Sequence, residues 1–214
     1  MNEKISEVLR LIRQGEGQFV EFKKKANHPE KIIKEVVAFA NAGGGNLFIG
    51  VDDHGTISGL KFPEDEEYIL SKAIVELCKP ALSFHVTQLE IKDAVILHYT
   101  IPEGLDKPYF AFLHKKHRYG KSFIRVQDHS IQASYEVRQF LKRGQRNHLP
   151  IEFEQKTKEL FDYFQNHRGI TLNQYMELSG LDKKLASNKL VNLALSGALK
   201  IEPKEGGDVF LPVE

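Results

Sequence analysis

Three consecutive glycines, Gly43-Gly44-Gly45, stand between two strongly apolar segments, and no other feature constrains the fold of this chain as much. Before them, Ile32, Ile33, Val36, Val37 and Ala40 recur at three- and four-residue spacing, which predicts a helix after Pro29 with one apolar stripe. Gly43 is expected to close that helix in the left-handed conformation, and Gly44 and Gly45 to let the chain return sharply. After them, Leu47, Phe48, Ile49 and Val51 form a short apolar run, as in a strand covered on both faces, and Gly50 admits a close neighbour. Asp52, Asp53, His54 and Gly55 read as a turn, and residues 56–60 alternate as a short partner strand.

The flanking segments extend this into a mixed α/β pattern. Ile5, Val8, Leu9 and Ile12 give a first amphipathic helix, Gly15 and Gly17 bracket Glu16, and residues 18–23 alternate as a strand. Pro63 and the acids at 64–67 open another helix, with Ile69, Ile74, Leu77 and Cys78 inward, which ends at Pro80. Residues 82–101 read as two strands around Lys92-Asp93, residues 122–126 as a strand, and residues 134–143 as a helix closing the domain. Residues 144–150 read as a polar, basic linker. Beyond it come a helix over 157–165, a short helix from Thr171, a turn at Gly180 and a third helix capped by Asp182. A hairpin follows from residues 198–201 and 209–211.

Several motifs in order carry a resemblance: Glu16, Glu21-Phe22-Lys23, Ala38-Phe39-Ala40-Asn41, Gly43-Gly44, Ile49-Gly50-Val51-Asp52-Asp53, Gly55 and Gly59. With Lys107-Pro108, Phe123-Ile124-Arg125 and Ala133-Ser134, this set resembles the Schlafen-AlbA domain across roughly residues 10–143. The family usually carries a glycine soon after the arginine and a threonine beyond it; here Val126-Gln127-Asp128 and Ser130 stand there. The C-terminal pattern resembles a winged helix. The resemblance implies a nucleic-acid-binding α/β domain over residues 1–143, a linker over 144–150 and a winged-helix-like domain over 151–214. It points to a transcriptional regulator that binds DNA. Nuclease members of the family cut RNA with an acidic trio, so the alternative is a metal-dependent ribonuclease acting on structured RNA. Larger Schlafen proteins are similar to two such modules in one chain, whereas this sequence holds the motif set once, so a homodimer is expected.

The chemistry divides between acids and bases. Glu16, Glu21 and Asp53, or its neighbour Asp52, offer hard oxygen ligands that suit Mg²⁺ or Mn²⁺ if they converge; otherwise they are solvated or capping acids. Residues 1–150 hold 22 Lys and Arg against 19 Asp and Glu, and residues 151–214 hold 8 against 10, so the positive excess is local. Lys23 and Lys25, then Lys115, Lys116, Arg118, Lys121 and Arg125, are expected to meet phosphates of DNA or RNA, with Tyr119 able to stack on a base. Lys183, Lys184 and Lys189 present a third basic set on the C-terminal helix. His114 and His117 lack the partners of a zinc site, and the single cysteine, Cys78, excludes an internal disulfide. ATP is rejected: Gly43-Gly44-Gly45 follows a helix instead of opening one, and Lys115 replaces the first glycine of a phosphate loop ending at Gly120-Lys121-Ser122. No apolar run approaches a membrane span and the N-terminus does not read as a signal peptide, so a cytoplasmic location is expected.

Overall fold

The computed structural model describes residues 3–113, 118–144 and 154–213. The chain forms two compact units, Met1–Ile131 and Gln132–Glu214.

The first unit runs α1 (Glu3–Gln14), β1 (Val20–Lys23), α2 (Pro29–Asn41), β2 (Gly45–Ile49), α3 (Pro63–Leu77), β3 (Cys78–Lys79), β4 (His85–Ile91), β5 (Ala94–Ile101), β6 (Phe110–Ala111), β7 (Phe123–Val126) and β8 (His129–Gln132). Its main sheet has the order β1-β2-β5-β4, with β1 and β2 parallel and the other pairs antiparallel. Alternate residues of the same strands enter two cores. Leu47, Ile49, Leu97 and Tyr99 pack with Ile33, Val37 and Phe39 of α2 and with Leu70 and Ile74 of α3. Phe22, Phe48, Leu89 and Ile96 pack with Val8 and Ile12 of α1. Burial on both faces explains why the β2 sequence is a continuous apolar run. The β4–β5 hairpin turns at Lys92 and Asp93, with φ of 48° and 64°. Cys78 is buried, as expected of a core thiol, and burial pushes it up to about 12.

The glycine hinge differs from expectation by one residue. Gly44, not Gly43, is left-handed, with φ 80°. Its N–H reaches the Phe39 carbonyl at 2.9 Å, and a side chain there would lie 2.7 Å from the Ile101 carbonyl oxygen. Gly45 starts the strand against the Phe39 ring, where a Cβ would come within 2.2 Å.

The second unit contains α4 (Tyr135–Arg143), α5 (Gln155–Phe164), α6 (Leu172–Ser179), α7 (Lys183–Leu195) and an antiparallel pair, β9 (Leu199–Glu202) and β10 (Val209–Pro212). Thr171 and Gln174 form a capping box on α6, Gly180 ends it at φ 68°, and the Asp182 carboxylate accepts the Leu185 N–H. Helix α4 was expected to close the first domain, residues 1–143. Instead it belongs to the second unit. Phe140 joins the core of Leu160, Tyr175, Leu190 and Phe210, and the buried Glu136 accepts from Ser187 of α7 at 2.6 Å. Of the expected linker, residues 145–150 lie outside the described residues. No helix among the described residues is long and apolar enough to cross a membrane.

Candidate functional site

Strand β1 lies at one edge of the sheet, and its outward backbone groups are closed by charged side chains. Phe22 N–H donates to Glu16 Oε1 at 2.8 Å, and the Phe22 carbonyl accepts from Lys23 Nζ at 2.9 Å. The Val20 carbonyl accepts from the Gly17 N–H at 3.0 Å and from Arg125 Nη2 at 3.1 Å. Arg125 is 3% exposed. Its Nε and Nη2 donate to the Gly17 carbonyl, Nη2 meets Glu21 Oε2 at 2.7 Å, and Nη1 meets Glu35 Oε2 at 2.8 Å. The guanidinium also lies over the Phe39 ring, 5.0 Å from its centroid. Arg125 is thus spent on two carboxylates and the backbone, and it is removed from the expected set of phosphate contacts. Ser130, in the place where the resemblance led one to expect threonine, donates its hydroxyl to Glu35 Oε2.

The acids gather around this arginine. Glu21 is 6% exposed, with one oxygen on Arg125 and the other on Lys23 Nζ. Burial raises the Glu16 carboxyl, the Phe22 N–H pulls it back, and the charges of Glu21 and Asp53 add to the rise. Glu35 is raised by burial, which with the nearby Glu21 charge outweighs both the Ser130 hydroxyl and the arginine. Asp52 closes the turn after β2 by accepting the N–H groups of Thr56 and His54 at 2.8 and 3.0 Å, and the Thr56 bond leads in lowering its pKa. Asp53 is exposed. The three expected acids therefore share one neighbourhood, but they do not fit a divalent cation as placed. Glu21 is neutralised by two cations, Glu16 is held by an amide, and no group of three His, Cys, Asp or Glu among the described residues could hold a metal ion.

The remaining basic residues separate into exposed ones and ones held in ion pairs. Arg118 and Lys121 are exposed, and the Arg118 guanidinium lies over the Tyr119 ring, 5.5 Å from its centroid. Tyr119 itself is 75% exposed. Lys25 is exposed, while Lys23 holds Glu21; Lys115 and Lys116 lie outside the described residues. In the second unit Lys183 and Lys184 are exposed in the first turn of α7, whereas Lys189 pairs with Glu154.

Two residues of the site escaped sequence reasoning. Glu35 went unnoticed, although a lone arginine in the apolar strand Phe123-Ile124-Arg125-Val126 demands buried carboxylates somewhere. Asn41, present in the motif set without an assigned role, fixes the loops around the site. Its amide donates to the Tyr109 and Phe123 carbonyls at 3.0 and 2.8 Å, and its oxygen accepts the Tyr109 N–H at 2.7 Å.

Two solved structures are similar to this chain. One is the DIP2311 protein from Corynebacterium diphtheriae, 18% identical with TM-score 0.51; the match covers 97% of this chain and 38% of that one. The N-terminal domain of a RecG-related protein from Nitrosomonas europaea matches at 20% identity and TM-score 0.44, covering 68% of this chain and 95% of that domain. No curated protein matches the chain. The family model described as Schlafen, AlbA_2 matches residues 16–134. That span takes in Glu16, Glu21, Glu35, Asn41, Arg125 and Ser130, the residues that build the closed edge of the sheet and fix the loops around it, and on it the chain belongs to the Schlafen, AlbA_2 family.

Proposed function

We propose that this chain binds nucleic acid through an exposed basic and aromatic surface of its first unit and acts as a DNA-binding transcriptional regulator. The observation that carries this is the pair Arg118 and Tyr119, an exposed guanidinium over an exposed ring, with exposed Lys121 close in sequence. Such a pair offers charge to a phosphate and a flat face to a base. Membership in the Schlafen, AlbA_2 family supports a nucleic-acid-related function. In the same reading the second unit is winged-helix-like, and Lys183 and Lys184 on α7 extend the contact.

A second reading is a Mg²⁺- or Mn²⁺-dependent ribonuclease using Glu16, Glu21 and Asp53. The mutual charge effect among these acids favours it. It requires Lys23 and Arg125 to release Glu21 first.

Binding and cleavage of end-labelled tRNA and duplex DNA, with and without Mn²⁺, separate the readings. Salt-sensitive binding without cleavage is expected. Tyr119→Ala should lose about 1–3 kcal/mol of binding, roughly 5- to 150-fold. Unchanged affinity in folded Tyr119→Ala and Arg118→Glu variants removes this surface, and Mn²⁺-dependent cleavage that is lost in Glu21→Ala replaces the regulator by the nuclease.

A further inference from the structure

The two edges of the main sheet are built differently. At β1 each outward group of Val20 and Phe22 has a partner, three of them charged side chains. At β4, among the described residues, no hydrogen bond reaches the outward side of the strand. The register shows which residues those are. The Val95 carbonyl accepts the Leu60 N–H at 2.8 Å, away from β4, so by alternation Ile96, His98 and Thr100 turn their backbone groups towards β4. They stand opposite Leu89, Thr87 and His85. Val86, Gln88 and Glu90 therefore direct their N–H and C=O groups outward. Residues 85–91 contain no proline, lysine or bulge to blunt this edge, and Glu90 is its one acidic residue.

We propose that a second copy of the chain closes this edge, paired antiparallel about a two-fold axis at Gln88. In that register Gln88 meets Gln88 of the other copy, Val86 meets Glu90 and Glu90 meets Val86. Each is a hydrogen-bonded pair that exchanges two bonds, so every outward group of the strand is satisfied at once. Other registers do worse. An axis at Thr87 or Leu89 closes only two such pairs, and an axis at Glu90 sets like charges directly opposite each other. An odd shift sets outward groups against inward ones.

A second observation lies on α3, which covers this side of the sheet. Glu66 accepts the Ala26 N–H at 2.5 Å and so marks the flank of α3 towards the start of α2. Ser71 meets Tyr99 of β5 at 3.1 Å and marks the other flank, towards β4. Tyr68 and Val75 share that flank, are 65% and 64% exposed, and line an open cleft of about 540 Å³ whose other walls are polar and charged, Glu64, Glu67, Ser71, Lys72 and Glu76. Pairing through β4 brings this flank of each copy to the seam, where those apolar groups lose water and add area to the backbone bonds. The pairing does not depend on the nucleic-acid reading.

Light scattering on the full chain without nucleic acid, at tens to hundreds of micromolar, is expected to give twice 24.4 kDa. Gln88→Pro should reduce the mass to the monomer value with an unchanged circular-dichroism spectrum, because its missing N–H points outward and the β4–β5 ladder stays whole. Gln88→Cys gives an independent readout, since Cys78 is buried. A short dimaleimide should link two copies at position 88, and a control Lys24→Cys should stay unlinked. A wild-type monomer throughout that range overturns the proposal, and so does a dimer that fails to link at position 88.

Discussion

Arg125 shows how a residue chosen by charge can belong to stability instead. Its guanidinium serves the buried Glu21 and the half-buried Glu35 together, while Lys23 pairs with Glu21. The Glu35 carboxyl is raised by burial, with the nearby Glu21 adding to it, despite the Ser130 hydroxyl and the arginine. The folded state holds this proton to a higher pH than the unfolded chain does. Stability from Glu35 is therefore present below 4.5, the ordinary value, and is lost as pH rises through the raised value. Glu16 acts in the same direction, while the lowered Asp52 and Asp128 act below their ordinary 3.8. Glu35→Gln should flatten the decline of unfolding free energy above pH 4.5, measured by urea titration across pH. A slope identical to that of the wild type would show that the shared arginine leaves Glu35 at its ordinary value.

At the scale of elements, most of the pattern was legible because burial imposes periods on sequence. The α2 stripe, the two-faced β2 run and the hairpin at Lys92-Asp93 each follow from apolar spacing and turn chemistry alone. The glycine hinge was legible as a hinge, but its geometry was not. What excludes a side chain at Gly44 is the Ile101 carbonyl, and that atom arrives from a strand more than fifty residues later. The outward capping of β1 was likewise hidden, since it needs Arg125 and Glu16 at once. Gly45→Ala tests the tightness of the hinge. Its methyl group would enter the Phe39 ring, which should cost about 1–3 kcal/mol or more of stability. Gly17→Ala is the control, having no atom within 4 Å of its Cβ, and equal melting of the two variants would mean that α2 and β2 can separate without loss.

For the whole molecule, the division at Ile131 assigns α4 to the second unit, and the family match, which ends at residue 134, stops before that helix. A helix read as the last piece of the first domain has its buried contacts with α7 and the second core. A fragment of residues 1–133 should therefore unfold at the same denaturant concentration as one of residues 1–143. Marked stabilisation by the longer fragment would return α4 to the first unit. The closed edge of β1 has a consequence for synthesis. Val20 and Glu21 wait for an arginine 105 and 104 positions further along the chain. At ~5–20 residues per second a ribosome takes roughly 5–20 s to reach it. During that interval the Val20 carbonyl has only the Gly17 N–H and Glu21 has only the Lys23 ammonium, so the outer edge of the first strand is held by its near neighbours alone until the late arginine completes it.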